Sequence, residues 1–208
     1  MGSSPITRSM NWCFFYKNVE VQQHKNVAVI FKKMFQLVKP SRILEIGTSY
    51  GGLTYILRDL LDELKMSYVN IRTYDIVENH KLHNLNLDID IYIKNIFNDE
   101  YTEIDDEVIS YISQDGVTII LCDGHHKKEE FNILSQFLKD GDIIMAHDYS
   151  PNLEYFNNIN KHKIWDWCEI TDSDIEKSLV YGLYPYMQDE FKSVVWLCKI
   201  CTSNGGVS

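Results

Sequence analysis

Apolar residues along this chain switch repeatedly between two periods, and the switches mark its elements. Val27, Ile30, Phe31, Met34 and Val38 share one helical face, and Pro40 stops that helix because the residue before a proline is pushed out of the α region. Residues 42–46 are a short apolar run carrying one acid, Glu45. Leu53, Ile56, Leu57, Leu60, Leu61 and Leu64 then return to helical spacing. Residues 69–75 read as a second strand, and residues 79–87 as a short, poorly patterned helix. Ile89, Ile91 and Ile93 alternate with polar positions, the pattern of a half-buried strand at a sheet edge. Ile104, Val108, Ile109 and Ile112 predict a helix, with Asp105 and Asp106 in its first turn, where carboxylates oppose the helix dipole. Residues 117–122 are continuously apolar, as a central parallel strand should be. Phe131, Leu134, Phe137 and Leu138 mark the next helix, closed by Gly141, and residues 142–147 form a fifth strand.

This alternation predicts an α/β domain with a doubly wound, mostly parallel sheet. Thr171 with Asp174 reads as a capping-box start for a helix carrying Ile175, Leu179 and Leu183. Residues 184–200 read as a hairpin turning at Gln188-Asp189-Glu190, and residues 1–20 as an irregular lead-in packed on the domain. A chain of 208 residues suits one such domain with a full core.

Chemistry concentrates where the strands end. Gly47, Gly51 and Gly52 follow the first strand, where glycines let the backbone approach a ligand and a helix N-terminus presents N–H groups. A dinucleotide turn reads G-x-G-x-x-G, but Ser49 stands here in place of the second glycine. Open α/β sheets bind ligands outside the carboxyl ends of their strands. Those ends carry Glu45 to Gly47, then Asp75, then Lys94-Asn95, then Asp123-Gly124-His125-His126, then His147-Asp148-Tyr149. Acids and histidines therefore gather on one rim. Asp75 suits ribose hydroxyls, and Asn95 or Ile96 would lie near a base. His126 follows the strand-four acid by a turn, and an ordinary histidine pKa of about 6.5 suits a general base. Its rivals are Lys127, whose charge burial would have to suppress, and a role in which His126 only caps the following helix.

Residues 45–51 resemble motif I, E-x-G-x-x-x-G, of the class I S-adenosyl-L-methionine (SAM) methyltransferases in its O-methyltransferase form. Residues 123–150 resemble a second pattern: D-G-x-H, a helix, a glycine loop, an apolar strand and H-D. Asp123, Gly124, His126, Gly141, His147 and Asp148 match it. It belongs to a branch with small-molecule and sugar O-methyltransferases and the cephalosporin-hydroxylase-like proteins. The resemblance implies a Rossmann-like seven-stranded sheet of order 3-2-1-4-5-7-6 with an antiparallel C-terminal hairpin. It implies a single domain over residues 1–208: a lead-in and helix (1–40), a cofactor-binding core (41–150), and an acceptor-side segment with the hairpin (151–208). The implied activity is methyl transfer from SAM to a hydroxyl of a small molecule or sugar. Carried over, Glu45, Gly47, Thr48, Ser49, Tyr50, Gly51, Asp75, Asn95 and Asp123 hold the cofactor, and His126, Asp123 and Lys127 act in catalysis.

Several relatives hold a divalent metal, usually magnesium, on carboxylates after strands four and five; here those are Asp123 and Asp148, with His147 beside them. The relatives tend to pair two acid or amide residues after strand five, where this chain has His147-Asp148-Tyr149. Two carboxylates suit Mg²⁺, added histidine suits Mn²⁺ or Fe²⁺, and a packed His147 with no metal is the alternative. Trp165, Trp167 and Tyr149 either stack on an acceptor or belong to the core. Two other functions stay open: a nucleotide-dependent oxidoreductase, against which Ser49 counts, and a non-catalytic SAM-fold binding protein, against which the rim of Asp123, His126 and Asp148 counts.

Charge narrows the partners. A net charge of −10 with scattered Lys and Arg argues against nucleic acid. Five widely spread cysteines fit a reduced, intracellular protein. Cys198 and Cys201 lie in a strand-like run, point to opposite faces and read as packing residues. Ile6 stands where a myristoylation site wants Ser or Thr, and no run reaches signal-peptide or membrane-span length. A soluble, cytoplasmic protein with a small-molecule partner is expected, with a homodimer left open.

Overall fold

Alternate residues of the central strands go to opposite faces of one sheet. In β3 (Arg42–Ile46), Ile43 packs on one side and Leu44 and Ile46 on the other. In β6 (Thr118–Cys122), Ile119 and Leu121 oppose Ile120 and Cys122. Both faces are buried, so these strands are mostly apolar, with Arg42, Glu45 and Thr118 as their buried polar residues. The structure, a computed structural model, describes residues 13–79, 89–161 and 166–203. All but Asn79 of the expected helix at 79–87, the expectation for Trp165 and most of the lead-in lie outside these.

The other strands are β1 (Phe14–Tyr16), β2 (Val19–Val21), β4 (Asn70–Asp75), β5 (Asp90–Ile93), β7 (Ile143–Ala146), β8 (Leu183–Pro185) and β9 (Leu197–Cys201). The large sheet has the order β5-β4-β3-β6-β7-β9-β8, parallel up to β7 and antiparallel at β9 and β8. Counted from β3 as the first strand, that is 3-2-1-4-5-7-6, the expected order. Helices α1 (Val27–Val38) and α2 (Gly52–Glu63) cover one face through Phe31, Met34, Leu57 and Leu61. Helices α3 (Asp106–Ile112) and α4 (Lys127–Leu134) cover the other through Val108, Ile112, Phe131 and Leu134. Cys198 joins the first cluster and Cys201 the second, on opposite faces as expected. No helix of the described residues is long and apolar enough to cross a membrane.

Several local expectations are corrected. Residues 14–21 are not irregular: β1 and β2 form a hairpin whose two loop residues, Lys17 and Asn18, both have positive φ. That is the turn whose twist matches a two-stranded ribbon. Val19 and Val21 are buried, and β2 crosses the start of α2 so closely that a Cβ on Gly52 would strike the Glu20 carbonyl. Asp105 precedes α3 and pairs with Lys94 at 2.9 Å. Helix α4 ends at Leu134 and passes through a 3₁₀ turn, so Gly141 shapes the entry to β7 and does not close the helix. The Thr171–Asp174 capping box is present, but it starts 3₁₀ turns, and Leu183 belongs to β8. The terminal hairpin turns through a short helix, Gln188–Lys192.

Register explains the rim. Ile46 pairs with Tyr74 on one side and Cys122 on the other, and Cys122 pairs with Ala146. The next residue of each strand is therefore Asp75, Gly47, Asp123 or His147, side by side in one row. Ala146 pairs with Leu197 in the antiparallel strand, so Trp196 continues the row, its ring 4.9 Å from that of His147.

Candidate active site

A two-part cleft opens above this row. The larger part, about 440 Å³, is lined by Ile46, Tyr74, Asp75, Asn95, Ile96 and Phe97 among others. The smaller part, about 200 Å³, is lined by Thr48, Tyr50, Lys127, His147, Asp148 and Glu169 among others. Gln22, Gly47, Ser49 and Asp123 border both.

The glycine turn is built from β3 outward. Gly47 has φ +93°, and a Cβ there would run into the Asp123 carbonyl, so the turn and the end of β6 touch backbone to backbone. Ser49, also at positive φ, donates its N–H to Asp75 Oδ2 at 2.7 Å, and Val77 donates to Oδ1 at 2.9 Å. Asp75 is thereby fixed at the cleft's edge with lone pairs remaining. Gly51, at φ +82°, precedes α2 and donates its N–H to the Thr48 carbonyl; it shapes the turn without lining the cleft.

Glu45 lies one layer lower and does not line the cleft. It is buried, and its Oε2 accepts from Thr54 at 2.5 Å and Thr73 at 2.6 Å, with Thr48 bonded to Thr73 behind them. Burial pushes its carboxyl up to about 7 against the lowering effect of these bonds. Between its ordinary value of 4.5 and about 7, the native protein keeps a proton that the unfolded chain has released. Stability should therefore fall as pH rises through that window, by about 1 kcal/mol per pH unit from this group. In Glu45→Gln, urea midpoints measured at pH 5, 6 and 7 should lose that slope; an unchanged slope would assign it to other groups.

The polar end of the cleft is a buried network. Gln23 donates to Asp123 Oδ2 at 2.7 Å and accepts from the Trp196 indole at 2.8 Å. His147 Nδ1 sits 3.1 Å from Asp123 Oδ1 and 3.4 Å from Asp148 Oδ1. Burial alone would lower the His147 pKa, but the two carboxylates outweigh it and the net shift is upward. Asp148 occupies the left-handed region at φ 57°. Residues 169–170 hydrogen-bond to the backbone of Asp148 and Ser150, which brings Glu169 and Trp167 to the site. Lys127, 6% exposed, donates to the Gly124 carbonyl at 2.9 Å and to Glu169 at 2.6 Å, and lies 3.2 Å from Asp148 Oδ2. Burial would lower its pKa, yet Asp123, Asp148 and Glu169 raise it above the ordinary value. The lysine is thus held as a cation among these oxygens.

The rim thus gathers most of the residues marked in the sequence, but not His126. That residue precedes α4, its N–H donates to Glu130 at 3.1 Å, and its exposed ring packs 4.3 Å from that of Tyr101. It lines neither part of the cleft, whereas His125 lines the larger. Glu130, capping Gly124 and His126, is driven up to about 7 by burial. Tyr149 is a core residue bonded to Asp172 at 2.9 Å. Sequence reasoning missed Gln22, Gln23, Glu169 and Trp196. Only the last carried a signal, as a tryptophan near the start of the final strand.

No protein-family model matches the sequence, and no curated protein sequence is significantly similar to it. Solved structures do share the fold. CmcI without ligand superposes with TM-score 0.66 at 12% identity, over 98% of this chain and 82% of that one. CmcI with Mg and SAM gives 0.65 at 14% identity, over 96% and 82%. The CMeT domain of citrinin polyketide synthase gives 0.56 at 14% identity, over 87% and 54%.

Proposed function

We propose that this protein is a SAM-dependent methyltransferase acting on a hydroxyl of a small molecule or sugar. The observation that carries the reading is the two-part cleft joined at Gly47 and Asp123. Its larger part has Ile46, Tyr74, Ile96 and Phe97 on its walls and the Asp75 carboxylate at its edge, which suits an adenosine with its ribose hydroxyls on Asp75. Its smaller part is rich in carboxylates, which favour a positive sulfonium. CmcI, solved with Mg and SAM on the same fold, supports the assignment.

SAM supplies an electrophilic methyl group when bound. Gly47 and Ser49 bring backbone to the ligand's middle, and Asp75 fixes its ribose end. An acceptor hydroxyl meets the Asp123–Asp148 pair, one of whose carboxylates takes its proton during in-line attack. This moves the general base from His126, whose ring faces Tyr101, to the carboxylates. A divalent cation fits here as well. Asp123, His147 and Asp148 offer donor atoms within 4.8 Å of one another, and Asp148 Oδ1 and His147 Nε2 are buried without a hydrogen-bond partner among the described residues. Asp123 and Asp148 would hold such an ion, which would lower the acceptor's pKa.

Calorimetry with S-adenosylhomocysteine (SAH) and with NAD is the test. Binding of SAH and not NAD is expected. Tight NAD binding with no heat from SAH would return the chain to the nucleotide-dependent oxidoreductases.

A further inference from the structure

The carboxylate pair already has a cation beside it. Lys127 Nζ has three N–H donors and three oxygens around it: the Gly124 carbonyl at 2.9 Å, Glu169 Oε2 at 2.6 Å and Asp148 Oδ2 at 3.2 Å. Asp123 Oδ1 is 3.8 Å away. The ammonium is therefore hydrogen-bonded to Gly124 and Glu169 and ion-paired with Asp148. Its charge stands among the same oxygens that a metal would use, in a buried place where salt screens little. Glu169 differs from the two aspartates in being about a third exposed, with a side-chain exposure of 35%, and in coming from a separate segment. It offers the ammonium a partner that a metal on Asp123 and Asp148 would not take.

We infer that Lys127 is the resident counter-cation of Asp123 and Asp148 and competes there with a divalent metal, yielding by shifting its pairing to Glu169. The inference rests on the proposed reading of that pair as the cation site. Lys127 then neutralises the buried acids when metal is scarce and sets how much metal the site requires. Its neighbour Lys128 carries the same charge outside the site, paired with Asp174 at 2.9 Å.

Mn²⁺ titration of the full chain, read by electron paramagnetic resonance, tests this in wild type, Lys127→Met and Lys128→Met. Lys127→Met should bind Mn²⁺ at least tenfold more tightly than wild type, and Lys128→Met within twofold of it. If Lys127→Met does not fold, Lys127→Gln, whose amide can still donate to the Gly124 carbonyl, should show the same direction. Unchanged, weaker or absent Mn²⁺ binding in the Lys127 variants would overturn the competition. So would an equal gain in Lys128→Met, which would make the effect one of general charge. SAH calorimetry on the same preparations separates the two readings. Retained SAH binding with no Mn²⁺ gain defeats only the role of Lys127, whereas wild type that ignores SAH defeats the methyltransferase reading.

Discussion

Gly47→Ala should lower stability by about 3–5 kcal/mol and abolish SAH binding in whatever fraction still folds. Two costs coincide at this position. Alanine at φ +93° is strained, and its Cβ would meet the Asp123 carbonyl, which is backbone and cannot rotate away. The contact lies in the row that runs from Asp75 to His147, so any relief displaces Asp123 and the network tied to it. Gly141→Ala isolates the first cost. Its φ of +86° is similar, but the added Cβ would find only Val117 Cγ2 at 3.6 Å. That variant should lose about 1 kcal/mol, the strain alone. Urea melts with unchanged m-values compare the two. Equal losses would show that the strand ends can part cheaply and that Gly47 is there for its φ alone.

The sheet was legible because burial on both faces makes a strand continuously apolar, and the central strands read that way. The row of Asp75, Gly47, Asp123 and His147 was legible for a related reason: Asp123 and His147 are the first polar positions after such runs, and Asp75 and Gly47 close the two neighbouring strands. Rotation about the chain was not legible. Glu45 sits inside an apolar run, and the sequence does not say that its side chain stays beneath the glycine turn with Thr54 and Thr73. His126 and Lys127 are adjacent, and which of them enters the site depends on where α4 begins. The helix starts at Lys127, which turns that side chain inward and leaves His126 against Tyr101. The β1–β2 hairpin was hidden because Lys17-Asn18 is not the glycine-containing turn that marks such hairpins in a sequence. With it went Gln23, whose place beside Asp123 depends on a crossing over α2 that no local pattern encodes.

Asp75→Ala should weaken SAH binding roughly 100-fold, about 3 kcal/mol, while leaving the protein folded. The size follows from two charge-assisted bonds to ribose hydroxyls, each worth about 1.5–3 kcal/mol, partly offset by water entering the gap. Asp75 is suited to this because its own geometry is fixed before any ligand arrives. Ser49 and Val77 hold one oxygen each through backbone N–H groups at 2.7 and 2.9 Å. Alanine also releases Ser49, which stands at φ 49° and borders both parts of the cleft, so some of the loss is loss of order in the turn. Asp75→Asn separates these contributions. Its amide oxygen can still accept from one N–H, but the charge is gone, and a loss nearer tenfold is expected. Calorimetry gives the affinities and a thermal melt shows that each variant is folded. If both variants bind SAH within threefold of wild type, Asp75 serves the turn alone, and the ribose must be sought elsewhere along the larger cavity.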